Sequence, residues 1–137
     1  MVLDFRTLVE LNLIVQMILV LVLYVASRLA IRGKFKKHCT LMRIAVPVQI
    51  LAVLGVMLPS MYGYLRITST ASLFDSEILI HHILGLCVVF IWIYINIIFM
   101  GILKPAIEIR TLMRLALVSW AASMLLGLHL YWVAYLS

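Results

Sequence analysis

The chain has 137 residues, of which 66% are hydrophobic and 12% charged, with a mean hydropathy of +1.22. Soluble domains carry about twice that charged share, so a water-soluble globule is excluded and an integral membrane protein is expected. The formal net charge of +6 needs no nucleic acid partner, because membrane topology and anionic lipid headgroups account for it.

Crossing a bilayer as helix takes about 20 apolar residues, and four runs qualify: 9–31, 40–65, 77–103 and 109–135. The first is uncharged over residues 11–26, lacks a small-residue cleavage pattern and ends in a basic stretch, so it reads as a retained span rather than a secretory signal. Residues 32–38, Arg-Gly-Lys-Phe-Lys-Lys-His, connect it to the second span. Pro47 and Pro59 are expected to bend that span. The polar stretch 68–77 follows, with Ser72, Asp75 and Ser76 as candidate N-caps for span three. Between spans three and four, Pro105 suits a first-turn helix position.

Charge sets the orientation. Arg28, Arg32, Lys34, Lys36, Lys37, Arg43, Lys104, Arg110 and Arg114 fall on one side of these spans, whereas Arg6 and Arg66 fall on the other with Asp4, Glu10, Asp75 and Glu77. The positive-inside rule makes the crowded side cytoplasmic. The expected fold is therefore all-α: an integral membrane four-helix bundle occupying residues 1–137 as one transmembrane domain. It consists of two tandem out-in-out hairpins with both termini extracytoplasmic, in the cytoplasmic membrane of a prokaryote.

A short repeat supports the two hairpins. Thr40-Leu41-Met42-Arg43-Ile44-Ala45-Val46 returns as Thr111-Leu112-Met113-Arg114-Leu115-Ala116-Leu117, an offset of 71 residues. Each copy opens the return helix of a hairpin, which implies a parallel internal repeat about an axis along the membrane normal.

Three histidines carry the functional expectation. An ionisable residue inside a span marks a functional site by default. His82 lies seven residues after Asp75, about 10 Å along a helix, and His129 lies at a similar depth, eight residues or about 12 Å before Ser137. On consecutive antiparallel helices, His129 and one of His81 and His82 suit the two axial ligands of a single b-type haem near the extracytoplasmic leaflet. Gly85, one turn from His81, and Ala122, two turns from His129, lower the side-chain wall where a flat ring must enter. Adjacent helical residues diverge by about 100°, so only one of His81 and His82 points into a given cleft. The glycine at i+4 favours His81; interhelical hydrogen bonding is the competing role for all three.

At the repeat offset, positions 81, 82 and 129 correspond to Glu10, Leu11 and Leu58, so one haem is expected rather than two. His38 lies on the cytoplasmic side without a second histidine at its depth, and reads as a headgroup or capping residue. Gln16, Gln49 and Asn96 are expected to bond between helices, with quinone contact as the alternative. Trp92, Trp120, Trp132, Tyr62, Tyr64, Tyr131 and Tyr135 suit packing and an aromatic belt. Cys39 and Cys87 form no CxxC or CxxCH motif, which disfavours covalent haem, structural zinc and iron–sulfur ligation. No nucleophile–base pair, phosphate-binding glycine loop or paired catalytic carboxylates is identifiable, so no independent catalytic site is assigned.

Gly33-Lys34-Phe35-Lys36-Lys37-His38, followed by Arg43, Pro47 and Gly55, resembles a segment of the domain-of-unknown-function 420 family. These are small four-helix membrane proteins of bacteria and archaea, sometimes encoded near terminal oxidases. His81-His82-Ile83-Leu84-Gly85 is similar to that family's His-x-x-Leu-Ala element, with glycine replacing alanine and the two elements in a different order. The resemblance covers about half the chain, excludes His129, and implies a four-helix bundle in a respiratory membrane. A looser resemblance is to small membrane cytochromes b. The expected function is electron transfer by a haem b subunit of a larger redox complex, between an extracytoplasmic c-type cytochrome and a membrane quinone-like carrier or partner subunit. A non-catalytic accessory or assembly subunit without its own cofactor is the alternative.

Overall fold

Hydrocarbon offers the backbone no hydrogen-bond partner, so each crossing run must close its own bonds as helix. The computed structural model describes residues 5–67 and 73–136, and Asp4 and Ser72 lie outside them. Its elements are α1 (Phe5–Ile31), α2 (Phe35–Ala52), a π-helical turn (Val53–Met57), α3 (Leu58–Ile67), α4 (Leu73–Phe99) and α5 (Ile109–Tyr135). Among the described residues, four stretches are long and apolar enough to cross a membrane: Arg6–Ile31, Phe35–Tyr62, Asp75–Phe99 and Ile109–Ala134. Large apolar side chains remain exposed along them, Leu21 at 65%, Val118 at 66% and Leu125 at 69%, as suits helices facing lipid. The chain is thus an all-α, multi-pass membrane protein.

The chain divides into two compact units, Met1–Arg66 and Ile67–Ser137. In the first, α1 packs on α2 and the π-turn; Leu19, Leu23 and Ala26 of α1, Met42, Ala45 and Val46 of α2, and Val53 are buried there. In the second, α4 packs on α5 through Val88, Trp92, Ile95 and Ile98 against Leu112, Ala116 and Trp120. Spacings of three and four place each set on one helical stripe. The repeated motif supplies the same small contact to both seams: Ala45 and Ala116 are each 1% exposed.

Both outgoing helices stop by the same device. Gly33 N–H donates to Ala30 O (3.0 Å) and Lys34 N–H to Leu29 O (2.9 Å); Gly101 N–H donates to Ile98 O (2.9 Å) and Ile102 N–H to Ile97 O (3.3 Å). This pairing is a Schellman motif, which needs a left-handed residue, and the two glycines have φ of 72° and 74°. The glycines are 68 residues apart, whereas the repeat motifs are 71 apart. The second connector is therefore three residues longer, and the repeat has two registers. Anchored on the glycines, the counterparts of His81 and His82 are Leu13 and Ile14, not Glu10 and Leu11.

Several boundaries differ from the sequence expectation. The second crossing helix starts at Phe35 rather than residue 40, so Lys36, Lys37 and His38 occupy its first turns. The third ends at Phe99 rather than 103 because the Gly101 motif closes it. Pro105 precedes α5 by four residues and is not in its first turn. Asp75 and Ser76 lie inside α4, where Asp75 complements the first-turn dipole instead of capping it. α2 runs through Pro47 without a break. Ahead of Pro59, whose ring conflicts with the carbonyl four residues back, the helix widens into the π-turn and Leu58 N–H reaches Val53 O.

Gly33→Ala and Gly101→Ala should each destabilise the fold by about 1–2 kcal/mol, since a Cβ is strained at positive φ. Gly55→Ala, whose added Cβ meets nothing within 4 Å, should be neutral or stabilising. Denaturation in SDS followed by far-ultraviolet circular dichroism measures all three.

Candidate functional site

The polar end of the second unit gathers Glu77, His81 and His82 from α4 with Ser123, Gly127 and His129 from α5. His81 and Ser123 exchange reciprocal bonds. The imidazole Nδ1–H donates to Ser123 O at 2.7 Å, and the Ser123 hydroxyl donates to His81 O at 3.2 Å. The His81 ring lies directly on α5: a Cβ added at Gly127 would come within 2.9 Å of His81 Cε1. Ser123 and Gly127 are four apart on α5, a small-xxx-small spacing that lets a neighbouring helix approach closely. His81 is thereby the side chain that fills the seam.

His82 is buried at 5% exposure, and its Nδ1–H donates to Ile78 O of its own helix at 2.6 Å. The two adjacent rings stand edge to face, 5.3 Å apart at 90°. His129, exposed at the margin of α5, donates from Nδ1 to Glu77 Oε2 at 2.9 Å, tying the two helices together beyond the His81 contact.

In the first unit His38 Nδ1–H donates to Ala26 O at 2.9 Å, which pins the start of α2 to α1. All four histidines therefore hold Nδ1 against an oxygen. Carbonyls and carboxylates only accept, so Nδ1 is the donor in each bond, and in the neutral tautomer that makes such a bond the lone pair lies on Nε2. This is how metal-ligating histidines are oriented, their other nitrogen fixed on a carbonyl or carboxylate. The donor chemistry thus suits a haem iron. The spacing differs from a bis-imidazole sandwich: at the level of His81 the α4–α5 seam is closed on Gly127, leaving no width for a porphyrin between the backbones. No group of three or more His, Cys, Asp or Glu side chains suited to a metal ion occurs among the described residues.

Gly85 is buried on the same stripe of α4 as His82, three residues on, and Ala122 is half-buried beside Ser123. The glycine that meets a histidine is instead Gly127, marked in the sequence by its four-residue spacing from Ser123. Gln16 Nε2 donates to Gln49 Oε1 at 2.8 Å, the expected interhelical bond. Asn96 instead bonds back to Trp92 O one turn earlier on its own helix. Trp92 and Trp120 are buried in the second seam, whereas Tyr62 and Trp132 are exposed. The side chains of Tyr64 and Tyr135 lie outside the described residues. Cys39 and Cys87 are free thiols.

No known protein family, curated protein or solved structure matches the chain.

Gly127→Ala should cost about 1–3 kcal/mol, the usual penalty for overpacking a closed contact. In a His81→Ala background the same change should cost little, because the opposing ring is gone. A double-mutant cycle on the SDS midpoint measures that coupling; additive effects would show that the two residues do not meet.

Proposed function

We propose that the protein is a haem b-binding electron-transfer subunit of a larger membrane redox complex, with His82 and His129 as the axial ligands. The observation that carries this reading is the anchoring of both imidazoles by Nδ1, His82 on Ile78 O and His129 on Glu77, which directs Nε2 as the ligating atom. His81, committed to Ser123 and Gly127, serves as the seam residue rather than a ligand. His82 and His129 would hold a haem between them only with the polar ends of α4 and α5 further apart than the His81–Gly127 contact sets them. Bound haem supplies one-electron chemistry, between a c-type cytochrome and a quinone-like carrier or partner subunit. The partner subunits supply the oxidoreductase chemistry that this chain lacks.

Orientation follows from charge. Arg28, Arg32, Lys34, Lys36, Lys37 and Arg43 are all exposed around the α1–α2 turn, and Lys104, Arg110 and Arg114 around the α4–α5 turn. Both turns belong on the cytoplasmic face of a prokaryotic cell membrane, against anionic lipid, and the histidine end of α4–α5 on the other.

One observation favours a second reading, an accessory subunit without its own cofactor. The close fit of His81 on Gly127 and the His129–Glu77 bond are also what histidines that only fasten two helices would make.

A dithionite-reduced minus oxidised spectrum of protein expressed with haem separates the two. The haem reading expects a b-type α band that His82→Ala and His129→Ala each abolish, while His81→Ala and His38→Ala keep it. Absence of the band in folded wild-type protein favours the accessory reading, and a band that survives His129→Ala refutes the ligand pair. For orientation, a membrane-impermeant maleimide should label Cys39 of a Cys87→Ser variant in inverted vesicles and not in intact right-side-out vesicles.

A further inference from the structure

Five residues are identical between the two copies of the repeat: Thr40, Leu41, Met42, Arg43 and Ala45 match Thr111, Leu112, Met113, Arg114 and Ala116. The leucines, methionines and alanines are buried or half-buried, so packing of each hairpin accounts for them. It does not account for the threonines and arginines. They are exposed in both copies, and a spacing of three puts them on one outward stripe. Large apolar side chains continue the exposed surface beyond each arginine, Ile44 and Leu51 on α2 and Leu115 and Val118 on α5. Thr40 Oγ1 donates to Lys36 O at 3.0 Å, so the arginine is the group left seeking a partner.

Both arginines stand inside crossing segments, Phe35–Tyr62 and Ile109–Ala134. The bonds of His38 with Ala26 and of Gln16 with Gln49 set Arg43 level with Leu21 and Val22, about 14 Å along the helix from the end of α1. Those of His81 with Ser123 and of His129 with Glu77 set Arg114 level with Ile91, about 12 Å from the end of α4. Neither takes part in the ion pairs among the described residues, and no acidic residue occurs between Glu10 and Asp75. An unpaired guanidinium in hydrocarbon is costly, and its long stem lets it reach toward the interface for an anion.

We propose that Arg43 and Arg114 each hold the phosphate of an anionic phospholipid, from the leaflet nearest the basic turns, with its acyl chains along the apolar surface beyond. A guanidinium meets two phosphate oxygens through parallel N–H donors, a fork that lysine lacks. A carboxylate on a partner's helix fits the same fork, but two observations favour phosphate. The arginine recurs on both hairpins, as suits a partner present all round a membrane protein. Further cations also share its stripe, Lys36 two turns back on α2 and Arg110 one turn back on α5, more charge than one carboxylate neutralises. The same cations repel the ammonium of a zwitterionic headgroup. The site at Arg43 is the tighter, because Glu108 stands 4.0 Å from Arg110 whereas the first unit has no acidic residue after Glu10. Neither site depends on haem or on which face of the membrane the turns occupy.

Native mass spectrometry of the full chain, released from detergent with equal amounts of phosphatidylglycerol and phosphatidylcholine, counts the lipids each variant keeps. Wild type should retain two phosphatidylglycerols and shed phosphatidylcholine. Arg43→Gln should weaken retention of the tighter lipid, and Arg114→Gln of the other, each by about tenfold, the value of a charge-assisted hydrogen bond. Arg43→Lys should fall between. Lys37→Gln removes an equal charge off the stripe and should keep both lipids, and inorganic phosphate, which has no acyl chain, should displace neither. Helical circular dichroism verifies that each variant is folded. Equal losses in Lys37→Gln and Arg43→Gln would overturn the proposal, since net charge alone would then govern binding. So would phosphatidylcholine held as firmly as phosphatidylglycerol, or wild-type retention in the Arg43→Gln, Arg114→Gln double variant. Folded wild-type protein that keeps no lipid would overturn it in favour of a partner's carboxylate.

Discussion

A polar group placed in hydrocarbon must find its partner within the protein or bind one from outside. That constraint organises the whole chain. It makes the crossing segments helices, and it places a Schellman glycine after each outgoing helix, where the last carbonyls would otherwise be bare. It also explains the side-chain bonds. His81 with Ser123, His129 with Glu77, Gln16 with Gln49 and His38 with Ala26 each join the two helices of one hairpin. Against the lipid-facing surface, which gives helices no hydrophobic reason to associate, such bonds and the small residues beside them hold each hairpin together.

The same constraint separates the two hairpins chemically. They share a turn device and a buried alanine, Ala45 or Ala116. The second fills its polar end with imidazoles and a carboxylate, groups that can hold a metal or a proton. The first fills its seam with amides, which can only donate and accept hydrogen bonds, and leaves Asn12 Oδ1 unpaired.

Most of the scaffold was legible in the residues, because hydropathy and charge report directly on the bilayer. The four crossing helices and their pairing into hairpins follow from run length and from the basic turns. Helix ends were harder to read. Lys36 and Lys37 look like a connector by polarity, yet a helix can begin before its apolar run, and α2 does. The apolar residues 100–103 look like helix, but Gly101 at positive φ ends α4 before them. The 71-residue repeat concealed a three-residue change in connector length, which only the paired glycines disclose. Within the site, spacing identified the three histidines but could not distinguish their orientations. A side chain's rotamer depends on which small residue faces it, and Gly127 lies 46 positions from His81 in the sequence. Asn96 shows the same limit: an asparagine inside a helix can bond backwards as readily as across.

The claim on which the account rests is that His81 and His82 are fixed by Nδ1–H bonds to backbone carbonyls, leaving the lone pair on Nε2. Solid-state NMR of the haem-free protein in lipid, with ¹⁵N-labelled histidine, reads this tautomer directly for each ring. The predicted result is that both rings are neutral, protonated at Nδ1 and unprotonated at Nε2, with a His81 Nδ1–H to Ser123 carbonyl correlation lost in His81→Ala. Protonation at Nε2 with a bare Nδ1 in either ring would contradict it, because no bond to Ser123 O or Ile78 O could then exist.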